Sequence, residues 1–276
     1  MIVVTGATGR VGGHVVTELR RRNQPVRAIS RHPGVLSAGV EAIRADLADP
    51  GSLEPALAGA SALFLIWPFT SPELTATLAP QVAAAAARHV GRVVLLSATP
   101  AADRPGSFWA ISERAVAQAS VPWTFLRPTG FASNTLMWAG QIQAGDVVRW
   151  PFGAAARSLI DERDIAAVAV RALTEDGHTG ARYLLSGPEL LTQAEQLAAI
   201  GRALGRHLVW ADLPRPAAEQ MLTAAWGDPD FARSALGTWA EFVTRPEPVT
   251  TTVQDVTGIP ARSFAAWAAA NASAFR

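Results

Sequence analysis

The chain has 276 residues, 49% of them apolar, and a formal net charge of +1. That length suits one α/β domain with a C-terminal elaboration, and the weak charge leaves no footprint for nucleic acid or an acidic partner. Cysteine is absent, which excludes disulfides, thiol catalysis and cysteine-ligated metal, and all 24 basic residues are arginine.

Ile2, Val3 and Val4 read as a short strand buried on both faces. Gly6, Gly9 and Gly12 follow, then an amphipathic run from Val11 to Arg22 with Val11, Val15, Val16 and Leu19 at helical spacing. Strand, glycine turn and helix in that order make a phosphate cradle. Gly6 permits the turn, Gly9 lets backbone approach a pyrophosphate, and Gly12 lets the helix lie close on the strand. The helix N-terminus then offers N–H groups and the positive end of its dipole to the anion. The apolar start is too short for a signal peptide, and Leu78 to Ala87 is too short to span a membrane. A cytoplasmic protein without membrane or nucleic-acid partners is expected, and self-association is compatible with the sequence.

Pro25 to Ser30 reads as a second strand, whose end faces the adenosine ribose in a dinucleotide fold. An acidic residue there favours NAD; here stand Ser30, Arg31 and His32, with no carboxylate before Glu41. Arg31 therefore favours NADP(H) over NAD(H), with Arg10 as a second contact. Val40–Ala45 is a third strand, Ser52–Leu57 a short helix, and Ser61–Trp67 a fourth strand ending at Trp67-Pro68-Phe69, expected to border the cofactor. A helix from Pro72 to Val90, a strand Arg92–Ser97, a helix Phe108–Ala119 and a strand Trp123–Pro128 complete a βα alternation. The expected fold is an α/β, Rossmann-type, doubly wound parallel sheet.

Residues 1–130 should form the NAD(P)-binding core. Residues 131–276 should form a smaller, mostly helical substrate-binding region, with about 158–186 returning to the core. Within that return a short strand from Ser158 precedes a helix Ile165–Leu173 capped by Asp164, and Ala181–Ser186 is a strand. Thr192 and Glu195 have capping-box spacing before a helix to Leu204, Trp226–Asp230 is a loop, and Gly237–Val243 is a helix.

These residues together resemble the NmrA-like branch of the atypical short-chain dehydrogenase/reductases. The resemblance is carried by Thr5–Gly12, Ser30-Arg31, Asp46-Leu47, Leu126-Arg-Pro128 with Phe131 and Asn134, Asp164-Ile-Ala166, and Phe264-Ala-Ala-Trp267 before Phe275. It implies that Gly6, Thr8, Gly9, Arg10, Val11, Gly12, Arg31, Asp46, Leu47 and Trp67 hold the cofactor, with Asp46 at the adenine amine. The family includes NADPH-dependent quinone reductases and also dinucleotide-binding sensors without turnover. A non-redox step such as isomerisation, cyclisation or coupling is a third reading.

Conventional members use a Tyr-x-x-x-Lys pair with a strand-five serine. Ser97 matches the serine, but the pair's stretch reads Trp109-Ala-Ile-Ser-Glu113, and a chain without lysine cannot assemble the pair elsewhere. Catalytic candidates are Ser97, Glu113 and Asn134. In a cleft Glu113 can act as general acid or base, and otherwise it is a surface residue beside Arg114 and Arg104. Phe69, Trp109, Phe131, Met137 and Trp138 are candidates to line an aromatic pocket for a flat, apolar acceptor such as a quinone. Core packing accounts equally well for Trp67, Trp109, Trp138 and Trp150. No histidine spacing points to a metal site.

Overall fold

The computed structural model describes residues 1–31 and 39–276, so His32 lies outside the described residues. Ile2, Val3 and Val4 are buried, and their β-branched side chains suit a strand covered on both faces. They open β1 (Ile2–Thr5), followed by α1 (Arg10–Arg21), β2 (Val26–Ser30), β3 (Glu41–Arg44), α2 (Leu53–Leu57) and β4 (Ala62–Ile66). Next come α3 (Pro72–His89), β5 (Val93–Leu96), α4 (Phe108–Gln118), β6 (Trp123–Pro128) and α5 (Ala139–Ala144). The chain continues through β7 (Val147–Trp150), β8 (Ala156–Arg157), α6 (Glu162–Thr174), β9 (Arg182–Leu185), β10 (Leu191–Thr192) and α7 (Gln193–Leu204). It ends with β11 (Val209–Asp212), α8 (Arg215–Trp226), α9 (Pro229–Thr244), α10 (Thr252–Thr257) and α11 (Phe264–Ala270).

The chain divides into two units. The first comprises Met1–Pro128, Glu162–Leu185 and Thr252–Ile259. Its sheet has seven strands in the order β3-β2-β1-β4-β5-β6-β9, all pairs parallel. The order reverses between β1 and β4, and in such sheets the crevice at the reversal, beyond the strands' carboxyl ends, receives the ligand. α1 packs on α6 and α3 packs on α4. Leu63, Leu65, Leu95 and Phe125 share a core with Val82, Ala86 and Val116 of the helices. Each such fully buried leucine or phenylalanine contributes about 1.5–3 kcal/mol.

The second unit comprises Thr129–Asp161, Ser186–Thr251 and Pro260–Arg276. It holds two small ribbons, β7 with β11 in parallel and β8 with β10 antiparallel. Around them α7, α8, α9 and α11 supply a core rich in tryptophan, with Trp138, Trp150, Trp239 and Trp267 all buried.

Two local expectations need correction. The short strand expected from Ser158 lies one step earlier, at Ala156–Arg157. The helix expected to be capped by Asp164 begins at Glu162, so Asp164 sits buried inside its first turn. Asp161 precedes the helix instead, and acidic side chains near a helix start suit its dipole. Elsewhere the local chemistry acts as expected: the Thr192 hydroxyl accepts from Glu195 N–H while the Glu195 carboxylate accepts from Thr192 N–H. The Thr192 N–H and the Thr192 hydroxyl both donate to the Glu195 carboxyl and hold it below its ordinary pKa. The loop at Trp226–Asp230 is minimal, because left-handed Gly227 ends α8 and Asp228 caps α9 by accepting from Phe231 N–H at 2.9 Å. Among the described residues, no helix is long and apolar enough to cross a membrane.

The first turn of α1 admits no side chain at Gly12. A Cβ there would lie 2.1 Å from the Gly6 carbonyl oxygen and 2.7 Å from its carbon, both rigid backbone. Gly12→Ala is therefore expected to lose about 3 kcal/mol or more, at the upper end of overpacking costs. Thermal unfolding and dinucleotide titration should fall together; an unchanged melting temperature would refute the close contact.

Candidate active site

The carboxyl edge of the first unit is assembled by backbone geometry. Thr5 is buried at the end of β1, and its hydroxyl accepts from Ile66 N–H at 2.7 Å, which ties the ends of β1 and β4. Gly6 then turns with φ +60, a conformation glycine adopts without strain. Gly9 caps α1 without a side-chain hydrogen bond, and no carboxylate lies in the first turn. The leading N–H groups of α1 are thus left for an anion.

A cleft of about 630 Å³ opens beside this turn. Gly6, Ala7 and Thr8 form one wall, Ser30 and Arg31 the end of β2, and Asp46 and Leu47 the end of β3. Pro68 and Phe69 close it beyond β4. Among its described lining residues Arg31 is the cation and Asp46 the carboxylate. Asp46 Oδ1 accepts from Ala48 N–H at 3.0 Å, which fixes the carboxyl in a local turn, while Asp46 N–H donates to Ser52 Oγ. The Cβ-excluding turn, the first-turn donors without a side-chain cap and a lining that runs from Gly6 to Arg31 and Asp46 fit a dinucleotide: Gly6–Gly12 would hold its pyrophosphate, and the Arg31 side its adenosine ribose. Arg10 starts α1 with its side chain exposed, whereas Val11 faces the core.

Trp67, expected at the cofactor, turns the other way. It is buried in the core, and its indole N–H donates to Thr75 Oγ1 at 2.9 Å. Ile66 and Pro68, on either side of Trp67 in the chain, line the cleft, as alternation along an extended segment directs, and Phe69 joins them there. Ring contact between Trp67 and Phe69, 5.3 Å centre to centre and edge-on, makes the former the support of the latter.

Ser97 follows β5 and is 4% exposed, with its hydroxyl buried and unpartnered among the described residues. Glu113 is not a surface residue. It is 5% exposed and accepts two hydrogen bonds from Arg127, from Nε at 2.9 Å and from Nη2 at 2.6 Å. Both carboxylate oxygens are committed to this fork, which leaves Glu113 poorly suited to shuttle a proton. The same bonds raise the Arg127 pKa, so the guanidinium stays charged. Arg127 is part of the Leu126-Arg-Pro128 motif but carries no assigned role in the sequence, yet an arginine inside the otherwise uncharged Trp-Thr-Phe-Leu-Arg-Pro strand is itself the signal of a buried counter-charge. The only tyrosine, Tyr183, is in β9, bonded to His178 at 2.8 Å, and burial pushes its pKa up.

Phe131, Asn134, Met137 and Trp138 belong to the second unit. Ala132 N–H donates to Ile160 O at 2.8 Å and Asn134 N–H to Phe131 O at 3.0 Å, which sets this turn. Met137 is exposed, but Trp138 is 2% exposed and packs edge-on against Trp210 in that unit's core, so core packing claims it. Trp150 is core as well, beside Trp239. Trp109 is half-buried, its ring 4.1 Å from that of Phe108.

Sheet order, glycine cradle and cleft define a Rossmann-type dinucleotide-binding protein. A family model described as NAD(P)H-binding matches residues 6–176. The (4-alkanoyl-5-oxo-2,5-dihydrofuran-3-yl)methyl phosphate reductase of Streptomyces griseus is 39% identical over 284 residues, covering 100% of this chain and 99% of the relative. The NAD(P)H azoreductase of Xenophilus azovorans is 34% identical over 288 residues, covering 100% and 99%. The solved NADPH-dependent quinone oxidoreductase of Escherichia coli, complexed with NADPH, shares the fold with a TM-score of 0.81 at 24% identity, covering 99% of each chain. The chain belongs to the NAD(P)H-binding family, in the NmrA-like branch of the atypical short-chain dehydrogenase/reductases, and is an NAD(P)H-dependent oxidoreductase.

The Glu113–Arg127 pair yields a stability prediction. Arg127→Met leaves a buried carboxylate without its counter-charge and should cost about 3–5 kcal/mol, whereas Glu113→Leu with Arg127→Met should restore most of it. Urea unfolding of the two variants beside the wild type measures this. Equal losses in both would show that packing, not charge pairing, holds the site.

Proposed function

We propose that the protein uses NADP(H), in preference to NAD(H), to reduce a quinone or aromatic-ketone-like small molecule without a Tyr-Lys pair. The observation that carries this reading is the buried Glu113–Arg127 fork at the Trp109-to-Glu113 stretch, where a conventional enzyme keeps its proton donor. Bound nicotinamide dinucleotide supplies hydride. The acceptor must then stabilise the resulting negative charge itself, and a quinone does so because its hydroquinone anion is weakly basic and takes a proton from water.

The substrates for which two relatives are named support the same logic. The Xenophilus relative is named for azo compounds and the Streptomyces relative for a furanone phosphate whose ring double bond is conjugated with carbonyl groups. Each offers an electron sink that needs no strong protein acid. This chain's own part is to hold the dinucleotide along Gly6–Gly12 and to present apolar rings to the acceptor, with Phe69 on the cleft and Trp109 at the start of α4.

Purified protein with NADPH should oxidise it in the presence of at least one member of a panel of quinones, aromatic ketones, azo dyes and unsaturated lactones. Turnover of the lactones alone would replace the quinone reading by one closer to the Streptomyces relative. Tight binding without oxidation by any acceptor would sink the reductase reading.

The preference for NADP(H) rests on Arg31, which lines the cleft at the end of β2 where no carboxylate stands. Arg31→Ala should weaken NADPH binding about tenfold to a hundredfold, the worth of hydrogen bonds to a charged group, and leave NADH binding unchanged. Tryptophan-fluorescence titration with both cofactors reads this directly; equal losses for the two would remove Arg31 from the 2′-phosphate.

A further inference from the structure

The Glu113–Arg127 fork has a second consequence, which follows from where its two ends lie. Leu96 of β5 pairs in register with Leu126 of β6, and Ser97 N–H donates to Leu126 O at 2.7 Å. Arg127 therefore stands at the carboxyl end of β6, beside Ser97. Phe125, two residues earlier in β6, belongs to the core shared with α4, and alternation puts Arg127 on that same side. Glu113 meets it there from the second turn of α4.

Trp109 is four residues before Glu113, on the same face of α4 and one turn nearer its start. In a parallel βαβ unit the helix runs antiparallel to its strands, so the first turn of α4 lies at the carboxyl edge of the sheet. Phe108 packs that turn against the apolar core, and its side-chain hydrogen bonds run within the helix: the Ser107 hydroxyl accepts from Ala110 N–H at 3.2 Å, and Ser112 Oγ donates to Trp109 O at 2.9 Å. Both bonds are local to the helix. The ion pair is the charged, directional link from this part of the helix to β6, beside the apolar packing.

We propose that the Glu113–Arg127 ion pair is the positioning element of the acceptor site. It clamps the start of α4 to β6 and so fixes Trp109 as the wall against which a flat conjugated acceptor stacks. Glu113 and Arg127 act through Trp109; neither is a catalytic residue. The inference rests on the acceptor reading above for the chemistry of the ligand, but the placement of Trp109 is independent of it.

The test compares wild type, Glu113→Leu with Arg127→Met, Trp109→Ala and the triple variant, with menadione as acceptor. The double variant should keep its NADPH affinity and raise the KM for menadione about tenfold, as a small misplacement of a binding wall does. In the Trp109→Ala background the same two substitutions should change KM no further. Fluorine NMR of protein labelled with fluorotryptophan gives a readout without turnover, the Trp109 resonance being assigned by its loss in Trp109→Ala. That resonance should shift or broaden when the pair is removed. An unmoved resonance with an unchanged KM overturns the proposal, and so does an equal rise in KM with and without Trp109. If the double variant does not fold, Glu113→Gln is read in the same way. If wild type does not reduce menadione, the acceptor reading fails for that compound and the resonance alone decides the clamp: movement upholds it and immobility overturns it.

Discussion

The structure turns on the approach of α1 to the loop that precedes it. Gly12 lies so close to the Gly6 carbonyl that no Cβ fits between them. That approach sets the angle at which α1 leaves the sheet, and hence the direction of its leading N–H groups. It also places Thr5 where its hydroxyl can bind the end of β4. The cleft beside the switch from β1 to β4 is a product of these backbone contacts. The side chains around it choose the ligand's details, while the glycines make a ligand admissible at all.

Legibility in the sequence followed the period of the hydrophobic pattern. The central strands β1, β4 and β5 are short, apolar and almost wholly buried, so they stand out between helices of clear amphipathic or alanine-rich character. The second unit reads poorly because its ribbons are tiny and its strands irregular: Val147–Trp150 and Val209–Asp212 pair across some sixty residues of chain. Nothing local announces such a pairing. Tryptophan was ambiguous for a related reason. Trp67 and Trp138 sit at segments that border a site in chain order, yet their large rings were taken by the nearest core, and the choice depends on side-chain direction, not position.

Charge was the most informative misreading. In the sequence Glu113 reads either as a general acid or base in a cleft or as a surface residue beside Arg114 and Arg104, whereas it is buried against Arg127 on a strand. A buried ion pair is weak evidence for stability, because apolar residues of similar volume often serve as well. Its value lies in direction: a bidentate fork fixes both distance and orientation between a helix and a strand. In a chain without lysine, arginine is the cation available for this, and its planar head makes the fork that an ammonium cannot.

Losing the Tyr-Lys pair then has a defined chemical consequence. An enzyme that protonates a carbonyl oxygen can reduce a simple ketone, since the acid offsets the cost of the alkoxide. Without that acid, the barrier for a simple ketone stays high, and reactivity passes to molecules whose own conjugation holds the charge. Selection among those molecules depends on shape and stacking more than on hydrogen bonding, because the charge is spread over the acceptor and not fixed on one oxygen. A site of this kind gains most from rings held rigidly in place. On the proposed reading, Phe69 braced by Trp67, and Trp109 one turn before Glu113 of the Glu113–Arg127 fork, are the rings this fold offers such an acceptor.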